Sequence, residues 1–469
     1  MTNTSGATAL DHHRDLNTDR DAVDAIRSRI AESGVEYVYY QAVTLTGRVI
    51  GKMAPARRLV RNIENGIQQY RALLADLRTA AGGTLLGGGY EATEYTAMPD
   101  LDTFAVLPWD RRTGRFFCRL YEPAHAPGGR DGQPLALDVR GHLRRELAAF
   151  TLRTGLELRS GCEPETSWSA SGNGTRPHVG PRPGESPAHH VDSLESHRPV
   201  CQRIMAYGHE LDLEMIEGNH EGDPGQLELN WEYDHAARTA DRMIVHRQIC
   251  RQVARELGLT VSFMPKPADD RTGNSCHHNL SLWRGETNVL VDPTVRRLHL
   301  TEIGRHAVGG ILSHAGAASA VMGPTVNSYK RYAQANPVTP TRADWGLDNK
   351  TCTVRLPVNG RLEVRSPDAL VNPYLSHAVL LAAIEDGIKN EIDPGPPKEG
   401  AYGDGTALFP DLPLTLGEAL DRFDADPVVT SALGAETAEL YRAVKAAEWM
   451  GFCGAVTDWE QRMYADAGC

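Results

Sequence analysis

Residues 263–283 read FMPKPADDRTGNSCHHNLSLW. Pro265, Lys266 and Pro267 brace a basic turn, and Asp269, Asp270 and Gly273 supply a polar loop. From Cys276 the pattern alternates, so that His277, Asn279 and Ser281 fall on one side of a strand and His278, Leu280 and Leu282 on the other. An imidazole, an amide and a hydroxyl in a row, backed by an apolar face, predict a strand that lines a polar interior.

Other segments repeat this division. Glu163 and Glu165 in CEPET point the same way, as do Gln226, Glu228 and Asn230 in GQLELNW. Glu363 and Arg365 stand together in RLEVRS, Arg355 lines up with Thr353 and Thr351 in TCTVRLP, and Glu221 sits in the loop NHEGDPG. One such strand is ordinary for a sheet with a wet face. Several that also carry His, paired Glu and Arg predict a shared site. Carboxylates with an imidazole suit Mg²⁺ or Mn²⁺, and arginines suit phosphoryl oxygens. Without a usable phosphate-binding glycine loop, metals and arginines would have to hold the phosphates of ATP.

The 469-residue chain has room for a large and a small domain. Its net charge of −12 argues against a non-specific nucleic-acid binder. No apolar run reaches the roughly 20 residues that span a bilayer, and no membrane partner is expected. The eight cysteines form no CxxC pair, which fits free thiols in a reducing, cytoplasmic compartment.

Along the chain, residues 1–20 read as a mobile tail, 21–33 as a helix, and 36–43 with the strand after Gly47 as a hairpin. The Gly/Pro-rich segment 123–134 is the expected linker, dividing an N-terminal domain (21–125) from a second domain (135–469). In the latter, 138–154 reads as a helix, 210–216 and 225–231 as strands, and 302 to about 332 as a helical region. The Gly/Pro/Ser/His-rich loop 169–198 is either functional or a surface insertion.

Taken in order, EPE (163–165), HEGDPGQLE (220–228), FMPKP…GNSCHHNLSL (263–282), NSYKRY (327–332) and RLEVRSPDALVNPYL (361–375) resemble the glutamine synthetase family over nearly the whole chain. The resemblance implies an α+β fold, with an N-terminal β-grasp domain and a large catalytic domain whose curved antiparallel sheet forms a funnel. It implies an ATP-dependent ligase using two or more Mg²⁺ or Mn²⁺ ions. The expected assembly is a homo-oligomer, a dodecamer of two stacked hexamers. Glu165, Glu221 and Glu228 would bind one metal, and Glu163, His277 and Glu363 another. Gly273, Arg331, Arg365 and Thr44 would contact the substrates. Arg331, Arg355 and Lys350 would act on the transferring phosphoryl group. Asn279, Ser281, Tyr233, Lys350 and Arg355 would contact the nucleotide, although Tyr233 reads equally as a core aromatic.

The departures from the family pattern are informative. Asn279 stands where the family has a second histidine, Lys350 where it has arginine, and Thr44 where an N-terminal aspartate is expected. No acid lies between Arg331 and Asp344, where the family has a flap glutamate. Ammonium needs negative charge to bind and to lose a proton. The expected reaction therefore joins the γ-carboxylate of glutamate, or a close analogue, to a substituted amine. An aromatic amine, hydrazine or hydroxylamine-like compound fits first, and an alkylamine or amino alcohol next. The alternatives are an ordinary glutamine synthetase and a non-catalytic, lengsin-like structural oligomer. Tyr402 lies near the family's adenylylation tyrosine but without its surrounding motif.

Overall fold

The computed structural model describes all residues except 1–5, 81, 171–185, 293, 295–298, 334–337, 401–409 and 467–469. Tyr402 and residues 171–185 of the 169–198 loop therefore lie outside the described residues. Two sheets organise the chain. The first joins β1 (Tyr37–Val43), β2 (Val49–Pro55), β3 (Ile67–Gln69), β4 (Tyr95–Pro99), β5 (Ala105–Leu107) and β6 (Asp110–Tyr121). Its central pair, β1 and β6, is parallel and the remaining pairs are antiparallel.

The second sheet has ten strands: β7 (Glu157–Ala170), β8 (Met215–His220), β9 (Gln226–Trp231), β10 (Asp234–His235), β11 (Leu259–Ser262), β12 (Cys276–Arg284), β13 (Thr287–Asn288), β14 (Trp345–Leu347), β15 (Val354–Leu356) and β16 (Leu362–Val364). Its path is β14-β15-β16-β12-β7-β9-β8, antiparallel except for β14 with β15. Strand β7 is the spine: its first part pairs with β12, then Glu165–Ser167 pair with β9 and Ser167–Ala170 with β11. One long strand that changes partners along its length bends the sheet, and the site residues line its polar side.

The apolar faces go where alternation sends them. Leu227, Leu229, Trp231, Leu280, Leu282, Val354, Leu362 and Val364 are buried in one large core. The helix Ala236–Leu257 packs Val245, Ile249 and Val253 into the same core. Val43, Leu45 and Phe117 of the first sheet reach it as well, so the two sheets share a seam.

Two expectations are corrected. Residues 9–16 are not tail but helix, because Thr8 and Asp11 form a capping box and Leu10 is buried beside Met98 and Tyr121. The strand expected over 210–216 begins only at Met215, as β8, because Glu210 ends the helix Arg198–Glu210. The expected helical region from 302 is present as two helices, Glu302–Met322 and Val326–Ala333, divided at Gly323-Pro324.

Candidate active site

Register brings the scattered acids together. His277 on β12 lies opposite Glu163 on β7, and Asn279 opposite Glu363 on β16. His277 Nδ1 stands 3.4 Å from Glu163 Oε2 and 3.6 Å from Glu363 Oε1, and the ligand atoms of the three residues all lie within 4.8 Å of one another. Burial, and then the charge of Arg365, hold His277 well below the usual histidine range. It is therefore neutral, with a lone pair to give. Two carboxylates and a neutral imidazole converging on one point fit a divalent cation such as Mn²⁺ or Mg²⁺.

The other expected trio, Glu165, Glu221 and Glu228, is looser: among the described residues its ligand atoms do not all lie within 4.8 Å of one another. Glu165 and Glu228 stand directly opposite across β7 and β9, an unfavourable place for two like charges. Burial, and then Glu221, push Glu165 up to about 6. Burial, and then Glu163, Glu165 and Glu221, push Glu228 well above the ordinary carboxylate range. Hydrogen bonds orient the acids without neutralising them. Ser275 N donates to Glu165 at 2.7 Å, Asn230 Nδ2 to Glu228 at 2.9 Å, and Asn219 to Glu221. A cation here would relieve the repulsion that these shifts record.

The arginines stand at the edge of this charge. Glu363 is buried between Arg355, at 2.7 Å, and Arg365. Burial opposes the charge on Arg355, but Glu363 and Asp348 outweigh it and raise its pKa. Arg331 donates to the carbonyls of Arg365 and Ser366, each at 3.3 Å, and lies over the Tyr332 ring. Gly273 explains itself sterically: a Cβ there would stand 2.7 Å from the Pro265 carbonyl oxygen and 2.8 Å from Arg331 Cγ.

A cavity of about 400 Å³ opens beside Glu163, lined by Tyr233, Asn279, Ser281, Trp283 and Arg361. Tyr233 is 45% exposed and stacks on Trp283 at 6.2 Å and 18°. It is thus an aromatic wall rather than a core residue. Asn279 donates to Glu163 at 2.8 Å, while its buried Oδ1 has no partner. Ser281 Oγ accepts from Trp283 Nε1. A larger cavity, about 650 Å³, lies near Arg115, Arg140 and Asp241, but none of the expected site residues line it.

Two expected residues are not drawn in. Thr44 is fully buried at the β1–β2 turn, where its hydroxyl accepts from Arg48 N and its carbonyl from Asn372. Lys350 is exposed on the turn before β15, and no described hydrogen bond or ion pair joins it to the acids. The sequence reading missed Arg361, whose Nη2 is 3.4 Å from Glu163 Oε1, and Trp283. Both were within reach of the alternation already in use, since Arg361 precedes Glu363 by two and Trp283 follows Ser281 by two.

Residues 136–464 match the family described as "Glutamine synthetase, catalytic domain". The chain is 32% identical to the glutamine synthetase of Rhizobium meliloti (strain 1021), over 93% of this chain and 98% of that protein. It is 31% identical to the glutamate–methylamine ligase of Methyloversatilis universalis, with the same two shares. A solved structure described as "GmaS/ADP complex-Conformation 1" superposes with a TM-score of 0.83 at 31% identity, covering 94% of this chain and 99% of that one. With the paired acids, the buried imidazole and the flanking arginines on one sheet, these likenesses establish that the chain belongs to the glutamine synthetase family and is an ATP-dependent ligase.

Proposed function

We propose that this ligase joins the γ-carboxylate of glutamate, or a close analogue, to a substituted amine. A carboxylate oxygen of the acid attacks the γ-phosphorus of ATP and ADP leaves. The amine then attacks the resulting acyl phosphate, displaces inorganic phosphate and gives up a proton. Mg²⁺ or Mn²⁺ held by the two trios would neutralise the phosphate oxygens. Arg365 holds the acid beside Glu363, Arg331 and Arg355 steady the transferring group, and Tyr233 with Trp283 receives the nucleotide base. Lys350 would reach the phosphates only by swinging in from its turn.

The observation that carries the amine is the missing negative charge after Arg331. The first acid beyond it, Asp344, is buried 3.5 Å from Lys398 Nζ and accepts from Thr353 N at 2.9 Å. That carboxylate is already engaged and cannot draw in ammonium. The glutamate–methylamine ligase relative supports the same reading and brings small alkylamines forward beside the less basic amines. The likeness to glutamine synthetases keeps ammonium as the second reading. A lengsin-like structural role is disfavoured because all six expected metal ligands are present.

Phosphate release with ATP, glutamate and a panel of amines tests the proposal. A substituted amine should saturate at lower concentration and turn over faster than ammonium, and the reverse order would overturn it. We further propose a domain division within 126–134, a cytoplasmic location in keeping with the free thiols, and a homo-oligomer of stacked rings. Met450, Phe452, Val456, Trp459 and Met463 are exposed over the C-terminal helices, an apolar surface of the kind that marks an interface.

A further inference from the structure

Behind the strands that carry Glu163 and His277 lies a second cluster of ligand atoms. Cys162 on β7, with Cys276 and His278 on β12, are buried, and their two sulfurs and a ring nitrogen all lie within 4.8 Å of one another. Alternation puts them there. Cys162 is one step from Glu163, and Cys276 and His278 flank His277, so the three share the face opposite the acids. Register completes the triangle, because His278 stands directly opposite Cys162.

Simple packing accounts for the cysteines, which bury as small apolar groups, and His278 is held by the Cys276 carbonyl at 2.9 Å, by Ser376 at 2.8 Å and by a stack on His377 at 4.6 Å; what packing does not require is that three soft donors converge. The two cysteines are free thiols, not a disulfide. Cys276 pairs with Pro164 and Cys162 with His278, so the two cysteines are diagonal neighbours. Diagonal Cα atoms are about 7–8 Å apart, whereas a disulfide needs about 4.4–6.8 Å. A tetrahedral ion with bonds of about 2.3 Å to sulfur and about 2.0 Å to nitrogen separates those atoms by roughly 3.5 Å. The observed distance from Cys162 Sγ to His278 Nδ1 is 3.8 Å. Met243 Sδ, 4.0 Å from Cys276 Sγ, offers a fourth soft donor. Ser376 Oγ, 2.8 Å from His278 Nε2, orients the ring as an outer-shell partner does.

We propose that Cys162, Cys276 and His278, with Met243, bind a thiophilic d¹⁰ cation, Zn²⁺ or Cu⁺, on the face of the sheet away from the acids. The donor set prefers such an ion to Mg²⁺ or Mn²⁺, so the two kinds of site do not compete. Zn²⁺ is the better balanced occupant, because two thiolates cancel its charge in a dry interior. On binding, the two thiols release their protons. His278 gives up its hydrogen bond to the Cys276 carbonyl and carries its proton on Nε2, facing Ser376. The ion then pins β7 to β12 from behind, one residue away from Glu163 and His277.

Full-length protein produced with Zn²⁺ or Cu⁺ and dialysed against excess Mg²⁺ should retain about one thiophilic ion per chain, and elemental analysis tells which. Protein loaded with Co²⁺ alone should show thiolate-to-cobalt charge-transfer absorption. Cys162→Ala and Cys276→Ala should each lower occupancy by about tenfold or more, while Glu163→Gln leaves it unchanged. The absence of both retained ion and charge-transfer band in the unaltered protein overturns the proposal, and this needs no variant to fold. Loss of the ion in Glu163→Gln, with retention in the cysteine variants, overturns it equally.

Discussion

Glu363 carries two loads at once: it belongs to the first metal trio and is the buried counter-ion of Arg355 and Arg365. Glu363→Gln should therefore lower turnover by about 10²-fold or more and also destabilise the fold by roughly 3 kcal/mol, because buried Arg365 loses its carboxylate partner and Arg355 keeps only Asp348. Glu163→Gln, at a half-buried position, should match the loss of turnover with little change in melting temperature. Turnover assays and thermal unfolding of both variants separate the two loads. Gly273→Ala has a different signature. The added methyl meets the Pro265 carbonyl and displaces Arg331, so KM for the acid should rise about tenfold while the fold loses about 1–3 kcal/mol. Site residues were legible wherever a strand alternated, since one period-2 reading ties Glu163 to Glu165 and His277 to Asn279. The setting of Thr44 was not legible, because a turn has no such period: it follows from the hydroxyl's bond to Arg48 N and from the bond of Asn372 to the hairpin.

The helices Glu302–Met322, Pro373–Lys389 and Pro427–Leu433 meet at His314. Its Nδ1 lies 2.7 Å from Asp426 and its Nε2 3.1 Å from Asp386, while Asp426 also caps the third helix. The hydrogen bond to Asp426 is the first cause of a raised His314 pKa, and His314 in turn helps lower that of Asp426 against burial. A raised histidine value means stability that is whole below the unfolded value of 6.5 and is lost as pH rises through the folded one. A lowered aspartate value means stability present above 3.8 and lost as pH falls through the folded value. The junction should thus be firmest between these two pH values. His314→Gln should cost about 1–3 kcal/mol at pH 5.5 and clearly less at pH 8.5, as read by denaturant unfolding at each pH. Elements of this kind were only partly visible beforehand. Arg198–Glu210 has no side-chain cap and follows a Gly/Pro-rich stretch, and its last residue, Glu210, was read as the start of a strand. The helix Ala9–Leu16 carried a readable Thr8–Asp11 capping box, outweighed in the sequence reading by its polar composition.

At the scale of the molecule, one feature costs stability without returning any until a ligand arrives. Glu165 and Glu228 face each other across β7 and β9, Glu221 is close enough to raise both, and Glu163 raises Glu228 as well. The large apolar core behind the sheet holds these acids in place against their repulsion. A cation that binds only the folded chain should release that cost, and linkage sets the scale: a hundredfold excess over Kd adds about 2.7 kcal/mol. For a chain of this size, that corresponds to a rise in melting temperature of a few degrees. Adding Mg²⁺ or Mn²⁺ to chelator-treated protein should produce this rise, and EDTA should reverse it. Glu228→Gln should raise the melting temperature of the metal-free protein and shrink the response to metal. If metal leaves the melting temperature of both proteins unchanged, the six ligands do not converge on cations, and the assignment of the acids as metal ligands falls with them.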